Sequence, residues 1–325
     1  MARALVTGAN GFVGSALVRE LLSDGVQVRA LVRATGDLRN LAGLDVELVQ
    51  GDVLQDTGLA QGVRGCDVVY HVAAFYSPRE ADAQSMYDVN VGGTKRVLRL
   101  ALEAGVGRIV HTSTIGTIGR PDDGSLPTED TEFNLWESAS HYARSKFLAE
   151  REALTLGQSG LPIVVVNPCA PVGARDIKPS STGQRIVTYL GGKTASFVPG
   201  GINFVAVEDV ARGHILAAEG GAIGRRYILG NSKGNLQLSD FVSLMQSVSG
   251  VAAPGTGRGG NAARARRLIR RLLPSRRRTP SGSGHLPAAL TCDPSRAIRE
   301  LGLPQTPLED AFARAVDWFC ENGYV

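Results

Sequence analysis

The 325-residue chain has few cysteines and no long apolar run. Its cysteines, at positions 66, 169, 292 and 320, are far apart in sequence and form no CxxC pair. Because no export signal is visible, this favours reduced thiols over disulfides or zinc, and we predict no metal site. No apolar stretch approaches the ~18 residues of a membrane span, and a strand-like segment directly follows Met1. These absences predict a cytoplasmic protein.

Acidic residues are missing from 241–292, and nine arginines lie between Arg258 and Arg278. The formal net charge of +4 is therefore local, and the rest of the chain is mildly acidic. Residues 262–273 place apolar side chains on one helical face and arginines on the other. Peripheral contact with an anionic membrane and docking on the protein's own surface both stay open, with disorder as a third alternative. Aromatics are not interleaved with these arginines, so we expect no nucleic-acid binding.

Short Val- and Ile-rich runs alternate with helical stretches along the first half of the chain, at 3–7, 26–32, 46–50, 67–71, 108–112 and 162–166. This alternation predicts an α/β fold with a doubly wound parallel sheet of the Rossmann type, whose ligands bind beyond the carboxyl ends of the strands. Composition changes after Pro168. We predict a dinucleotide-binding domain over 1–168. Residues 169–325 are predicted to be mostly a smaller, interleaved C-terminal substrate lobe, with late sheet strands returning to the core. Within it, 252–289 is an atypical Arg-rich segment.

The segment TGANGFVG (7–14) follows the first predicted strand and opens a helix. Gly8 allows a tight turn, Gly11 lets the backbone approach a pyrophosphate, and Gly14 permits close packing of helix and strand. The phosphates then lie at the positive end of the helix. This predicts a dinucleotide site that includes Gly8, Asn10, Gly11, Phe12, Val13 and Gly14.

The second predicted strand ends with Arg33, where an NAD site usually has an acid for the ribose 2′-hydroxyl. The next acid, Asp37, lies beyond a glycine. Since a guanidinium suits a 2′-phosphate, we predict NADP(H), with NAD(H) as the alternative and a merely solvated Arg33 left open. The next strand ends add further candidate cofactor residues: Asp52, Val53, Ala73 and Ala74.

Tyr142 and Lys146 lie one turn apart and therefore share a helix face. An ammonium beside a tyrosine stabilises the phenolate and lowers its pKa from ~10 toward neutrality. Lys146 is also suited to bind the nicotinamide ribose. The segment HTST (111–114), at the end of the fifth strand, supplies hydroxyls that can orient a substrate oxygen.

Together, TGANGFVG, GDV (51–53), HVAA (71–74), NVGGT (90–94), HTST and YARSK (142–146) resemble the extended short-chain dehydrogenase/reductase family, often labelled NAD-dependent epimerase/dehydratase. Within it the chain is most similar to dihydroflavonol 4-reductase-like proteins and hopanoid-associated sugar epimerases. The likeness covers roughly residues 1–250 and the end from about residue 292. It implies a general acid–base Tyr142, a ribose-binding Lys146 and a catalytic Thr114, with Ser113 the weaker candidate. It also implies that Asn90 organises the active-site helix, although an ordinary helix-turn amide is equally open, and that Pro168 lies at the nicotinamide amide.

Departures from the family pattern narrow the predicted reaction. Ile115 and Gly116 follow Thr114 where sugar dehydratases of the family have Asp-Glu, so dehydration is disfavoured. The acidic segment 121–140 is predicted to be the substrate loop, and its charge argues against a polyanionic substrate. We therefore predict an NADP(H)-dependent reductase of a small-molecule carbonyl. A sugar epimerase with transient hydride transfer and a non-catalytic nucleotide-binding protein are the alternatives, and a homodimer stays open.

Overall fold

A computed structural model describes residues 2–254 and 289–325. Nearly all of the predicted atypical segment, including 262–273, lies outside the described residues. The main sheet has seven parallel strands in the order β3-β2-β1-β4-β5-β6-β9, which confirms the predicted doubly wound fold. Its strands are β1 (Arg3–Thr7), β2 (Gln27–Val32), β3 (Glu47–Gln50), β4 (Val68–His71), β5 (Arg108–Thr112), β6 (Ile163–Pro168) and β9 (Arg226–Leu229).

Helices cover both faces of this sheet. One face packs on α1 (Phe12–Ser23) and α7 (Val207–Gly220). The other packs on α2 (Asp56–Val63), α4 (Thr94–Glu103) and α5 (His141–Gln158). Central strands are consequently buried on both sides, and β6 is buried at all of its six positions. Shorter elements are α3 (Ala83–Tyr87), a π-helical turn (Asp88–Gly93) and 3₁₀ helices at Arg39–Leu41, Glu80–Asp82 and Ile115–Thr117.

A second, three-stranded sheet has the order β10-β8-β7, formed by β7 (Ala170–Val172), β8 (Ile202–Ala206) and β10 (Asn235–Leu236). It packs with α6 (Ser181–Leu190), α8 (Leu238–Ser249) and α10 (Leu308–Glu321), while α9 (Ser295–Leu301) packs with the main sheet. Phe204, Phe241 and Phe312 contact one another in this smaller core. The chain thus leaves the main sheet after β6 and returns at β9, which pairs with β6.

The predicted domain division at Pro168 stays a prediction. The helix α10, near the end of the chain, buries its apolar face in this smaller core. In the described ranges, no helix is long and apolar enough to cross a bilayer.

Candidate active site

The glycine turn between β1 and α1 is too tight for side chains. Gly8 has φ +67°, and a Cβ there would lie 2.8 Å from the backbone of Ala73. A Cβ on Gly14 would lie 2.1 Å from the carbonyl oxygen of Gly8. Gly14 therefore allows α1 to pack closely against the glycine turn. The sequence argument had predicted close packing of this helix against the strand instead. Ala73, a predicted cofactor residue, lies directly beside Gly8.

The first turn of α1 offers backbone donors. Gly11 is the N-cap residue and provides no side-chain cap, so the amides of Phe12, Val13 and Gly14 have no intrahelical acceptor. No acidic side chain lies in this turn. Donors at a helix N-terminus, next to glycines that leave room for a ligand, fit the diphosphate of a dinucleotide.

Asn10 closes this turn onto the segment after β2 rather than facing open space. Its Nδ2 donates to the carbonyl oxygen of Asp37 at 2.9 Å. Its own carbonyl accepts a hydrogen bond of 3.2 Å from Asn40, which also donates to the carbonyl of Arg175. Arg175 has φ +73°, an uncommon conformation for a non-glycine residue. The segments after β2 and β7 are thus held against the glycine turn.

Arg33 is exposed at the carboxyl end of β2. Within the described ranges its side chain forms no hydrogen bond or ion pair. Asp37 is engaged instead by Arg39, with an Nη2–Oδ2 distance of 2.7 Å, and these hydrogen bonds lower the pKa of Asp37 to about 2. Asp37, the acid that follows this strand, is therefore paired locally, and Arg39 is a second cation there that the sequence argument missed.

The remaining predicted cofactor residues line the adjacent strand ends. Asp52 accepts a hydrogen bond from the amide of Leu54 at 2.9 Å, and Val53 is buried against Gly93. Ala73 donates its amide to the hydroxyl of Thr7 at 3.1 Å, and Ala74 is exposed. Small side chains thus follow β4 as predicted, whereas Val53 packs inside the protein.

Tyr142 lies at the start of α5, with the ring of Tyr76 edge-on at a centroid distance of 5.1 Å. Burial, with a smaller contribution from Tyr76, raises the pKa of Tyr142 to about 12. Without cofactor, the structure therefore does not show the lowering that the sequence argument assigns to Lys146. Tyr76 itself is 57% exposed, and its ring packs against that of Tyr142. The sequence argument did not predict this contact.

Lys146 is almost fully buried, with 2% of its surface exposed. Its Nζ donates to the carbonyl oxygen of Thr112, the last residue of β5, at 2.7 Å. Burial lowers its pKa to about 8, and the carboxylate of Glu150 opposes that fall. The ammonium is thus fixed at the carboxyl edge of the sheet, where the site was predicted.

The two candidate hydroxyls differ in environment. Ser113 is buried, and its Oγ lies 3.3 Å from Oγ1 of Thr117. Thr114 is only partly buried, and its Oγ1 accepts the amide of Gly116 at 3.3 Å. In the described part of the chain the hydroxyl proton of Thr114 has no acceptor. Thr114 is therefore the hydroxyl available to a ligand.

Asn90 lies in the π-helical turn and joins two segments of the site. Its Oδ1 accepts the amide of Phe75 at 2.8 Å, while its Nδ2 donates to the Phe75 carbonyl and to Oγ of Ser145 at 2.9 Å. Asn90 therefore ties the chain after β4 to α5, between Tyr142 and Lys146. This geometry supports the predicted organising role.

Pro168 ends β6 and is buried. The next residue, Cys169, has its Sγ 3.3 Å from that of Cys292, and both are free, buried thiols. Cysteines that are far apart in sequence are thus adjacent in space, a contact that spacing could not reveal.

A buried polar network beneath the site was not predicted. Glu150, on α5, accepts hydrogen bonds from Thr117 and Asn167, both at 2.6 Å, and pairs with Arg226 of β9 at 2.5 Å. One signal was available in the sequence, since Tyr142, Lys146 and Glu150 follow one another at intervals of four. Nothing marked Arg226, because an arginine at the start of a strand is commonplace.

Two acids of the 121–140 loop have structural partners. Glu129 is buried and accepts the amide of Ile228 at 2.9 Å, and Asp130 pairs with Arg296. These contacts give both acids a structural role in holding the loop.

Comparison with known proteins finds relatives over most of the chain. Residues 4–230 match the sequence profile of the NAD dependent epimerase/dehydratase family. "Putative dihydroflavonol 4-reductase" from Synechocystis is 40% identical over 98% of this chain and 95% of that protein. "Sterol demethylase protein B" from Methylococcus capsulatus is 36% identical over 99% of both chains. The crystal structure of the dTDP-glucose 4,6-dehydratase DesIV from Streptomyces venezuelae, with NAD and TYD bound, has a TM-score of 0.77 at 29% identity, over 98% of this chain and 97% of that one.

Proposed function

The chain belongs to the NAD dependent epimerase/dehydratase family, and we propose that within it this protein is an NADP(H)-dependent reductase of a small-molecule carbonyl compound. The family resemblance predicted from sequence is thereby confirmed, and the protein is an NAD(P)-dependent enzyme of the oxidoreductase/epimerase type. The direction of net reaction, the preferred cofactor and the substrate belong to the proposal.

The nicotinamide cofactor, when bound, supplies or accepts the hydride. Tyr142 donates the proton to the carbonyl oxygen, and Thr114 holds that oxygen through its available hydroxyl. Lys146 binds the ribose and stabilises the phenolate that remains after proton transfer. The amides of Phe12, Val13 and Gly14 hold the diphosphate, with Pro168 beside the nicotinamide.

The observation that carries the reductase proposal is the chemistry of the residues next to Thr114. Ile115 is buried and Gly116 has no side chain, so neither can transfer a proton. Tyr142 is then the single proton donor proposed for the substrate, which suffices for interconversion of a carbonyl and an alcohol. Loss of water needs a further acid and base.

The cofactor preference is supported by the charges after β2. Arg33 has no partner among the described residues, and Arg39 already balances Asp37. A 2′-phosphate would meet cations there and no free carboxylate, whereas an NAD ribose would lack its usual acceptor.

The name of the Synechocystis relative also favours a reductase. A sugar epimerase remains the second candidate, because the family whose profile matches residues 4–230 includes epimerases. Several acids in the 121–140 loop argue against a polyanionic substrate, although the proximity of that loop to the substrate is itself part of the proposal.

The test begins with freshly purified protein, which is denatured so that any released nucleotide can be identified. Empty protein that binds NADPH much more tightly than NADH, and then consumes NADPH stoichiometrically with a panel of ketones and aldehydes, supports the proposal. NAD retained near one per chain, with turnover of a sugar and no net oxidation, would favour the epimerase. Tyr142→Phe should abolish either activity, and an unchanged rate would contradict the assignment of this residue.

A further inference from the structure

The network centred on Glu150 connects the elements that carry the proposed catalytic residues. Glu150 lies one turn beyond Lys146 on α5 and is 1% exposed on its side chain. Its Oε2 accepts from Thr117 and from Asn167 of β6. Both side chains also lie within hydrogen-bond distance of the carbonyl oxygen of Thr114, with Thr117 Oγ1 at 2.8 Å and Asn167 Nδ2 at 3.2 Å. Thr117 has a single hydroxyl proton, which it donates either to Glu150 or to this carbonyl. The backbone of Thr114 is therefore linked to the helix of Lys146 through shared partners.

Arg226 extends this network to the 121–140 loop. Its Nη1 pairs with Oε1 of Glu150, its Nε donates to the carbonyl of Glu129 at 2.8 Å, and its Nη2 donates to the carbonyl of Thr131 at 2.9 Å. All three nitrogens of the planar guanidinium are thus used. A lysine could not reproduce this geometry, because its ammonium is a single point charge.

We propose that Glu150 and Arg226 form a positioning pair: Glu150 keeps the Lys146 ammonium charged and aligns Thr114 with α5, and Arg226 balances that carboxylate and holds the 121–140 loop against the helix. The kinetic consequences of this inference rest on the reductase function proposed above. Neither residue is proposed to contact the substrate.

The electrostatic part follows from the surroundings of Lys146. Its ionisable neighbours among the described residues include His71 of β4 and His111 of β5, together with Tyr142 and Glu150 one turn away on its own helix. Both histidines are fully buried, and burial lowers the pKa of each so far that it is neutral at pH 7. Glu150 is therefore the carboxylate that opposes loss of the Lys146 proton. Arg226 is the cation paired with this carboxylate and balances its charge, so its loss would leave Glu150 buried without its ion-pair partner.

The experiment measures the charge of Lys146 directly. The full chain contains five lysines (Lys95, Lys146, Lys178, Lys193 and Lys233), so the ε-methylene resonances of ¹³C-lysine-labelled protein can be resolved and followed against pH by NMR. Lys146→Met identifies the relevant signal. We expect a wild-type midpoint near the pKa of about 8, and a lower midpoint in Glu150→Gln, which removes the carboxylate. Arg226→Met removes the cation that balances this carboxylate, so its midpoint should be higher.

Arg225→Met is the matched control, because Arg225 is the exposed neighbour of Arg226 at the start of the same strand. Its midpoint should equal that of wild type. The double variant Glu150→Gln/Arg226→Met should lie between the two single variants, since it removes one charge of each sign. Wild-type midpoints in both single variants would overturn the proposal.

Arg226→Lys separates the electrostatic role of Arg226 from its hold on the loop. The same variant tests the proposal if Glu150→Gln fails to fold. It retains a cation for Glu150 but loses the two loop carbonyls. We expect an unchanged Lys146 midpoint, and a KM for the carbonyl substrate that rises more than kcat falls. A KM and kcat equal to those of wild type would overturn the proposed hold on the loop.

The two proposals fail separately. If no carbonyl compound consumes NADPH, the reductase function fails while the NMR titration still decides whether Glu150 and Arg226 set the charge of Lys146. If NADPH is consumed and the titration midpoints do not move, the positioning pair fails alone.

Discussion

The diphosphate end of the cofactor site is built from one short segment, whereas the catalytic end is assembled from several. Residues 7–14 provide the whole turn and the donors of α1, and a Cβ on Gly8 or Gly14 would collide with backbone. The catalytic end combines Thr114 after β5 and Lys146 on α5 with Asn90 in the π-helical turn, and it depends on Arg226 of β9 beneath them. The first end is a local conformation, and the second exists only in the folded chain.

This difference also appears in energetic terms. The glycine turn satisfies its backbone with local hydrogen bonds, such as that from Gly11 to Gly8 at 3.0 Å. The catalytic end buries a lysine, two neutral histidines and an ion pair, all of which are unfavourable without partners. Mutations at the two ends should accordingly differ in what they change.

The largest expected effect is at Tyr142. Tyr142→Phe removes the proposed proton donor and should lower kcat for carbonyl reduction by ~10²–10⁴-fold, the usual contribution of general acid catalysis. NADPH affinity should be nearly unchanged, because the cofactor end is separate. Stopped-flow measurement of NADPH oxidation, with NADPH fluorescence titration, tests both statements. Tyr87→Phe is the control and should retain activity. It removes a hydroxyl that is hydrogen-bonded to His141, the first residue of the same helix.

Lys146→Met should reveal the stability cost of a buried ammonium. The pKa of Lys146 is about 8 in the folded chain and ordinary, near 10.5, when unfolded. Between these pH values the unfolded chain binds more protons, so the wild-type free energy of unfolding rises relative to the variant as pH increases from about 8 to 10.5. The full change is roughly 3 kcal/mol, at ~1.4 kcal/mol per pH unit. Urea unfolding at several pH values measures it, and a pH-independent difference would contradict the assignment.

Gly14→Ala should damage the cofactor end specifically. The new Cβ would lie 2.1 Å from the Gly8 carbonyl oxygen, so α1 or the turn must move. We expect a loss of ~1–3 kcal/mol in the free energy of unfolding, together with weaker NADPH binding. Gly220→Ala is the control, at a helix position where an added Cβ would meet nothing within 4 Å outside the local helix backbone. It should lower neither the free energy of unfolding nor NADPH binding. Equal results for both variants would show that the turn tolerates a side chain.

Arg33→Ala should have the smallest effect and concern cofactor choice alone. Loss of one exposed cation should weaken NADPH binding roughly tenfold, or ~1.4 kcal/mol, and leave NADH binding unchanged. Arg64→Ala, an exposed arginine at the opposite edge of the sheet, is the control. Titration of both nucleotides decides the matter, since equal losses for NADH and NADPH would indicate that Arg33 does not recognise the 2′-phosphate.

Much of the fold was predictable because its signals are local. The bounds of β1 and β5 agree with the sequence prediction residue for residue, since each is an apolar run flanked by turn residues. The small sheet of β7, β8 and β10 was not predicted as a separate sheet. Its strands are short, β10 has two residues, and their pairing is defined by partners distant in sequence.

The candidate site divides in the same manner. Gly8, Gly14, Tyr142 and Lys146 could be proposed from spacing, because a tight turn and a shared helix face are properties of neighbouring residues. The contact of Cys169 with Cys292 and the pairing of Glu150 with Arg226 could not, because 123 and 76 positions separate the partners. The raised pKa of Tyr142 was not predicted either, because it comes from burial in the folded chain.

The sequence by itself determined the parallel sheet, the glycine turn and the helix that presents Tyr142 and Lys146, since hydrophobic period and glycine position act over a few residues. The tertiary structure alone decided which hydroxyl stays available, how deeply Lys146 is buried and which cation compensates Glu150. Burial and charge pairing are determined by whichever distant segments pack together, and a linear pattern carries no direct record of that packing.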